Sequence, residues 1–257
     1  MLTALRRDAI RAFLSEKKSA TVLEMAKEFS VTDETIRRDL SALEKEGFLT
    51  KVRGGAFIQG GTLNEIDINL RSSVSSNSKK LIAAKCQKII KNGDSIFLDS
   101  STTAYNIAEQ IRDFRITVLT NSLKICDLLS AYPNIDLICI GGTFSKKNCA
   151  FFGSITNRVI CSYHVDKAFF SCRSASIEFG VMDSNEKSAE LRRLVISQSL
   201  HSYLCIDHSK LEKTSINTIC SFRELFAVVT DQPPAKNWSE FLASENVELI
   251  IASPSDA

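Results

Sequence analysis

Two groups of residues have the types and spacing that recognition chemistry requires. The first is Thr32, Thr35, Arg37, Arg38, Ser41 and Lys45, with Arg53 a short distance beyond. On a helical period, Ile36, Leu40 and Leu43 fall on one side of this stretch. Glu34, Arg38, Ser41 and Lys45 fall on the other, flanked by Thr35 and Arg37. Arginine can pair bidentately with guanine O6 and N7, and Thr, Ser and Lys can hold phosphates or base edges. Such a face is competent to dock in a major groove. It also reads as a solvated helix face carrying a Glu34–Arg38 pair. The second group closes a series of apolar runs: Asp99-Ser100-Ser101-Thr102-Thr103, Thr120-Asn121, Gly141-Gly142-Thr143 and Asp207-His208-Ser209-Lys210. Hydroxyls and unpaired N–H groups at a helix start form an anion site. Plain capping by Ser and Thr is the simpler account of each run taken alone.

The elements that must position these groups differ along the chain. Leu2, Leu5, Ala9, Ala12 and Phe13 form one helical stripe, and Val22, Met25, Ala26 and Phe29 form another. Ser30-Val31 then gives a tight connection and Thr32 caps a third helix, which Gly47 ends. Phe48–Val52 and Ala56–Ile58 are extended runs around Arg53-Gly54-Gly55, which predicts a two-stranded wing. Residues 1–58 therefore read as a winged helix-turn-helix, and the polar stretch 59–78 as a linker and entry segment. In residues 79–257, strand candidates at 95–99, 116–121, 135–141, 165–172, 203–207, 225–231 and 247–252 alternate with helical patterns. Those patterns include 79–91, 103–112, 123–131 and 186–199. The fold class expected is α/β, a winged helix-turn-helix followed by a largely parallel sheet with helices on both faces. Ligands of such sheets gather at the carboxyl ends of the strands. Four polar strand ends in one sheet thus suggest a polar ligand pocket.

Composition narrows the class without naming a partner. Of the 257 residues, 44% are hydrophobic and 24% charged, enough for a normal core. No long uncharged apolar run is present, and Arg6, Arg7 and Asp8 interrupt the start. A cytoplasmic protein with no membrane partner is therefore expected. The formal charge of +2 is too small to announce nucleic acid by itself. Eight cysteines without a C-x-x-C pair read as small core residues, and neither a metal nor a cofactor is implied. His164, His201 and His208 lack mutual metal-ligand spacing.

The stretch Val31 to Ala56 closely resembles the DNA-binding signature of the DeoR family of bacterial sugar-metabolism regulators. The likeness includes Thr35-Ile36-Arg37-Arg38-Asp39-Leu40, Leu43, Gly47 and Arg53-Gly54-Gly55-Ala56. Thr32 stands where the family usually has Ser, and Lys51-Val52-Arg53 where its wing reads R-x-H; both keep the capping oxygen and the basic character. The resemblance runs through most of the chain. It implies a sugar-phosphate-sensing domain related to ribose-5-phosphate isomerase, with Lys79, Ser101, Thr102, Thr103 and Lys210 around the phosphate. Ser101 and Ser174 replace the family's usual glycines. Asp99, Asn121, Gly141, Gly142, Asp166 and Glu190 complete the candidate effector set, with Arg173 as a further contact to sugar hydroxyls. Of the isomerase's two acids, spaced three residues apart, only Asp166 has a counterpart, because Phe169 occupies the second position. No catalytic residue is therefore assigned, and the chain is expected not to be an enzyme. The expected protein is a DNA-binding regulator, a repressor of a carbohydrate operon controlled by a phosphorylated sugar. Its partners are double-stranded operator DNA, the effector and further copies of itself, as dimer or tetramer. An isomerase-like enzyme fused to a DNA-binding domain is the alternative.

Overall fold

The computed structural model describes residues 2–58 and 68–256. Residues 59–67, expected to be linker, lie outside the described residues. The chain divides into two compact units, Met1–Val74 and Ser75–Ala257.

In the smaller unit, α1 (Thr3–Lys17) leads through β1 (Ser19–Thr21) to α2 (Val22–Glu28) and α3 (Asp33–Lys45); β2 (Thr50–Val52) and β3 (Gly55–Phe57) follow, then α4 (Ile68–Ser73). Thr21 caps α2 in a reciprocal box with Glu24, and Thr32 caps α3 by accepting the Thr35 N–H. Ile36, Leu40 and Leu43 pack with Val22, Met25 and Ala26 in one core, as the helical period requires. The stripe expected on α1 is a correction. Leu2, Leu5 and Ala12 are exposed, and the buried positions are Arg6, Ile10 and Leu14. That stripe begins on a charged residue, which only a buried partner can accommodate. The wing has three strands in the order β1-β3-β2, not two. β1 is only Ser-Ala-Thr, with no alternation to announce it. Gly55 is required where β1 and β3 meet: an added Cβ would lie 2.3 Å from the Ala20 carbonyl oxygen and 2.6 Å from Leu70 Cδ2. Leu70 is buried beside Phe57, so part of the presumed linker is a packed helix.

In the larger unit, chain order is α5 (Ser76–Ile89), β4 (Ser95–Leu98), α6 (Thr102–Gln110), β5 (Ile116–Thr120), α7 (Leu123–Leu129) and β6 (Ile135–Cys139). The hairpin β7 (Thr143–Ser145) and β8 (Ala150–Phe152) follows, then α8 (Ser154–Ile160) and β9 (Val165–Phe170). After β10 (Ser174–Ser176) and β11 (Gly180–Asp183) come α9 (Glu186–Ser197), β12 (Ser199–Cys205) and β13 (Asn217–Cys220). The chain ends with β14 (Ala227–Thr230), α10 (Lys236–Ser244) and β15 (Glu248–Ile251). Seven strands form one sheet in the order β15-β14-β12-β9-β4-β5-β6, and every pairing is parallel. Alternate strand residues feed opposite faces. Ile96, Leu98, Val118 and Phe169 pack with Ile82, Ile107 and Ile125 of α5–α7. Phe97, Leu119 and Ala168 pack with Ile160, Leu191 and Val195 of α8 and α9, and Leu204 and Val228 with Trp238 and Leu242 of α10. β10, β11 and β13 make a separate antiparallel sheet. Five cysteines are buried as core residues, but Cys139 and Cys161 are exposed.

The strand order reverses at β4. The chain winds outward through β5 and β6, then returns to β9 on the other side of β4 and winds outward again through β12, β14 and β15. Loops leaving adjacent strands on opposite sides of such a reversal part from each other and leave a crevice beyond the carboxyl ends, here of β4 and β9.

Candidate functional site

The sequence between β4 and α6 turns sharply because Asp99 organises it. Its Oδ1 accepts the Ser101 N–H at 3.0 Å, and Ser101 Oγ caps α6 by accepting the Ala104 N–H at 3.0 Å. The other carboxylate oxygen accepts the Ser171 N–H at 3.3 Å, joining the ends of β4 and β9. Arg192 of α9 binds the same oxygen at 2.8 Å and reaches Asp183 Oδ2 at 2.5 Å with its other arm. Burial alone would lower the Arg192 pKa, but Asp99 and Asp183 outweigh it and hold the guanidinium charged. On α9 the buried positions are Ser188, Ala189, Leu191, Arg192 and Val195. Arg192 thus falls on the apolar stripe, a signal that sequence reasoning missed.

Lys210 stands in the turn after β12, its Nζ 3.1 Å from Ser171 Oγ and 3.4 Å from Asp207 Oδ2. Burial pushes the Asp207 carboxyl up, but Lys210, the Ser209 hydroxyl and Lys79 together hold it below the usual range. Lys79, near the start of α5, is 3% exposed. Ser101, Thr102 and Thr103 are buried, as is Asn121 at the end of β5. Asn121 Nδ2 donates to the Phe151 carbonyl at 2.9 Å, while its Oδ1 is buried without a hydrogen-bond donor among the described residues. Lys79, Asp99, Ser101–Thr103, Asn121 and Lys210 are therefore gathered at one end of the sheet. The arrangement can hold an anion on ammonium groups and helix-start amides, beside an acceptor awaiting a hydroxyl.

Other expected contacts are placed elsewhere. Asp166 lies at the amino end of β9, where its Oδ2 accepts from Ser95 N–H at 2.8 Å and Ser95 Oγ at 2.7 Å; these bonds hold its carboxyl below the usual range. It belongs to the far end of the sheet and cannot reach the crevice. Glu190 is exposed on α9 and accepts from Asn157 Nδ2 at 2.9 Å, so it too is removed from the effector set. Gly141 and Gly142 follow the edge strand β6 and are exposed. There the Gly141 carbonyl accepts from Thr156 Oγ1 at 2.8 Å, and Gly142 (φ 148°) leaves no room for a Cβ beside that hydroxyl. Their role is to turn the chain. Phe169 is fully buried and stacked on Tyr203 at 4.9 Å.

In the smaller unit, Thr32, Arg37, Arg38, Lys45 and Arg53 are exposed, and Thr35 and Ser41 half-buried. Glu34 and Arg38 approach within 3.8 Å, both largely in solvent. The Ser41 hydroxyl is already engaged: it donates to the Arg37 carbonyl at 2.7 Å and accepts from Lys51 Nζ at 2.6 Å. It therefore steers the wing lysine, a residue absent from the expected set. Asp39, also absent from it, is 1% exposed and accepts from Arg6 Nε at 2.6 Å and Arg7 Nε at 3.1 Å, which fastens α1 to α3.

Residues 6–60 match the DeoR-like helix-turn-helix domain, and residues 74–232 match the DeoR C terminal sensor domain. The chain is 38% identical to the "Uncharacterized HTH-type transcriptional regulator YulB" of Bacillus subtilis, over 90% of each chain. It is 33% identical to the "Lactose phosphotransferase system repressor" of Staphylococcus epidermidis over 88% of this chain and 91% of the relative. With the "HTH-type transcriptional repressor GlcR" of Bacillus subtilis it shares 30% identity over 95% and 94%. Among solved structures, ribose 5-phosphate isomerase A of Methanocaldococcus jannaschii matches at 18% identity over 53% of this chain and 54% of that one, with a TM-score of 0.39. That structural likeness is too slight to bear on any residue. The two domain matches and the near full-length identity to named regulators place this chain in the DeoR family of transcriptional regulators.

Proposed function

We propose that this protein is a DNA-binding repressor of a carbohydrate-use operon, released or engaged by a sugar phosphate held in its larger unit. The observation that carries the reading is the cationic, hydroxyl-lined end of the parallel sheet at β4 and β9, where Lys79, Lys210 and the start of α6 converge. A phosphate dianion satisfies those groups, and the open acceptor of Asn121 suits a sugar hydroxyl. The DNA-reading face is Thr32, Thr35, Arg37, Arg38 and Lys45 with Arg53, and Lys51 is added from the wing. Relatives named as a lactose phosphotransferase system repressor and as an L-fucose operon activator support the carbohydrate assignment. Self-association into a dimer or tetramer belongs to the same proposal, because paired half-sites are commonly read by paired recognition helices.

The alternative, an isomerase fused to a DNA reader, finds no support in the placement of its acids. Asp166 is at the wrong end of the sheet and Phe169 is closed in the core. Thermal unfolding of the protein with a panel of sugar phosphates tests the sensing role, since a ligand bound only by the folded state raises stability by RT ln(1 + [L]/Kd). We expect one class of sugar phosphate to raise the midpoint and shift operator DNA in a gel titration. No response to any of them contradicts the proposal.

A further inference from the structure

We propose that the sensing site acts on the DNA-reading unit through the first turn of α5, which His208, Asp231 and Ser78 tie to the turn carrying Lys210. This rests on the sensing role proposed above and specifies its regulation. β12 lies between β9 and β14, and the turn that follows it reaches both ways. Lys210 Nζ lies 3.1 Å from Ser171 Oγ, just past the end of β9. His208 turns instead to Asp231, just past the end of β14. Its backbone N–H donates to Oδ1 at 2.8 Å, and its ring Nδ1 lies 2.8 Å from Oδ2. The same buried carboxylate accepts the hydroxyl of Ser78 in α5. Burial pushes the Asp231 carboxyl up, but His208 and Ser78 together hold it below the usual range, so it stays an anion shared between them. Lys79, the next residue of α5, acts on Asp207 at the head of the Lys210 turn.

The start of α5 is also where the chain passes from one unit to the other. Ser75 opens the larger unit with φ 50° and ψ 38°, and no side-chain hydrogen bond caps the helix there. A left-handed conformation strains any residue with a Cβ, and such a joint persists only while the structure on both sides holds it. On the side of the smaller unit, Val74 packs with Val52 of the wing against Phe57 and Leu70. Lys51, beside Val52, donates to Ser41 of α3 at 2.6 Å. From Lys210 to α3, each step is therefore a described contact or a stretch of backbone. A sugar phosphate that draws Lys210 toward itself shifts the turn. Asp231 passes the shift to Ser78, and relaxation of Ser75 passes it to the wing. Coupling between distant sites needs such a contiguous set of contacts with a second arrangement to adopt, and the strained Ser75 supplies the second arrangement.

Variants of the full-length protein that part effector binding from the response to it test this. The probes are glucose 6-phosphate, fructose 6-phosphate, fructose 1,6-bisphosphate, 6-phosphogluconate and ribose 5-phosphate, with a DNA duplex that wild type selects from a random pool. DNA affinity is titrated with and without the sugar phosphate that wild type binds most tightly in calorimetry. S78A should bind that sugar phosphate, and DNA alone, as wild type does. Its change in DNA affinity on adding the sugar phosphate should fall from about fivefold or more to about twofold or less. By reciprocity, the DNA complex of S78A should bind the sugar phosphate as well as free S78A does, whereas the wild-type complex should not. S78T, which keeps the hydroxyl, should keep the response, and H208A should lose it from the other end. Should S78A fail to fold, H208A carries the same test. A wild-type response in either S78A or H208A overturns the relay while sensing stands. Loss of sugar-phosphate binding together with the response overturns it as well, by placing these residues in the binding site itself. Failure of wild type to bind any of the probes overturns the sensing role beneath it.

Discussion

At the scale of single residues, the charges divide into buried ones that hold the architecture and exposed ones held ready. Arg192 is of the first kind, since it links α9 to the end of β4 through Asp99 and to β11 through Asp183. Removing one member of a buried ionic set strands the others without compensation. Arg192→Ala should therefore lower stability by about 3–5 kcal/mol in urea titration. A loss under about 1 kcal/mol, the range of exposed pairs, would show that the carboxylates find other partners. Arg37 and Arg38 are of the second kind, exposed on α3. Arg37→Ala and Arg38→Ala should leave the unfolding midpoint unchanged and weaken operator binding by about 1–3 kcal/mol each if they read bases. If they contact phosphates instead, the variants lose salt dependence as well as affinity. Unchanged gel-shift titrations for both would remove α3 as the recognition helix.

At the scale of elements, legibility followed the length and regularity of the apolar pattern. α3 and the central strands were readable because Ile36, Leu40, Leu43 and runs such as Ile116–Thr120 are buried at the period their geometry imposes. The strand candidates overran their carboxyl ends because Ile140, Cys172 and Ile206 stay buried after the ladder stops, and apolarity reports burial, not pairing. β1, β10 and β11 escaped because three or four residues carry too little pattern. In the candidate site, residue types at strand ends pointed to the Ser101–Thr103 turn, Asn121 and Lys210, and the family resemblance pointed to Lys79 on α5. Asp166 was misassigned because its place at the start of a strand, not its type, decides which end it faces. α1 was misread because its inner face begins on Arg6, whose partner Asp39 lies 33 residues away. That pair yields a prediction about the element itself. Asp39→Ala should destabilise the smaller unit by about 3–5 kcal/mol and weaken DNA binding by loosening α3 on α1. Asp39→Asn, which keeps an acceptor for Arg6, should recover part of both losses. Equal stability of wild type and Asp39→Ala in denaturant titration would show that the clamp is dispensable.

At the scale of the whole molecule, sensing matters only if effector and DNA affinities are coupled, and such coupling is reciprocal. Lys210→Ala and Thr102→Ala should respond poorly to a sugar phosphate that lowers operator affinity several-fold in wild type, while binding to DNA without effector persists. Wild-type sensitivity in both variants would place the phosphate elsewhere. Time of assembly is a further consequence of the strand reversal at β4. The crevice does not exist until β9 pairs with β4, and Ser95 and Asp166, which bond across that junction, are 71 residues apart in the chain. Contacts so distant in sequence form slowly, whereas the short helices and wing of the first unit close mostly local loops. As the chain leaves the ribosome, its DNA-reading segment emerges and can fold while β9 is still unmade. Each new molecule would therefore pass through an interval in which it can meet DNA but cannot yet answer to sugar. In refolding from denaturant, recovery of effector binding should follow the slowest phase, after the wing and its helices have formed.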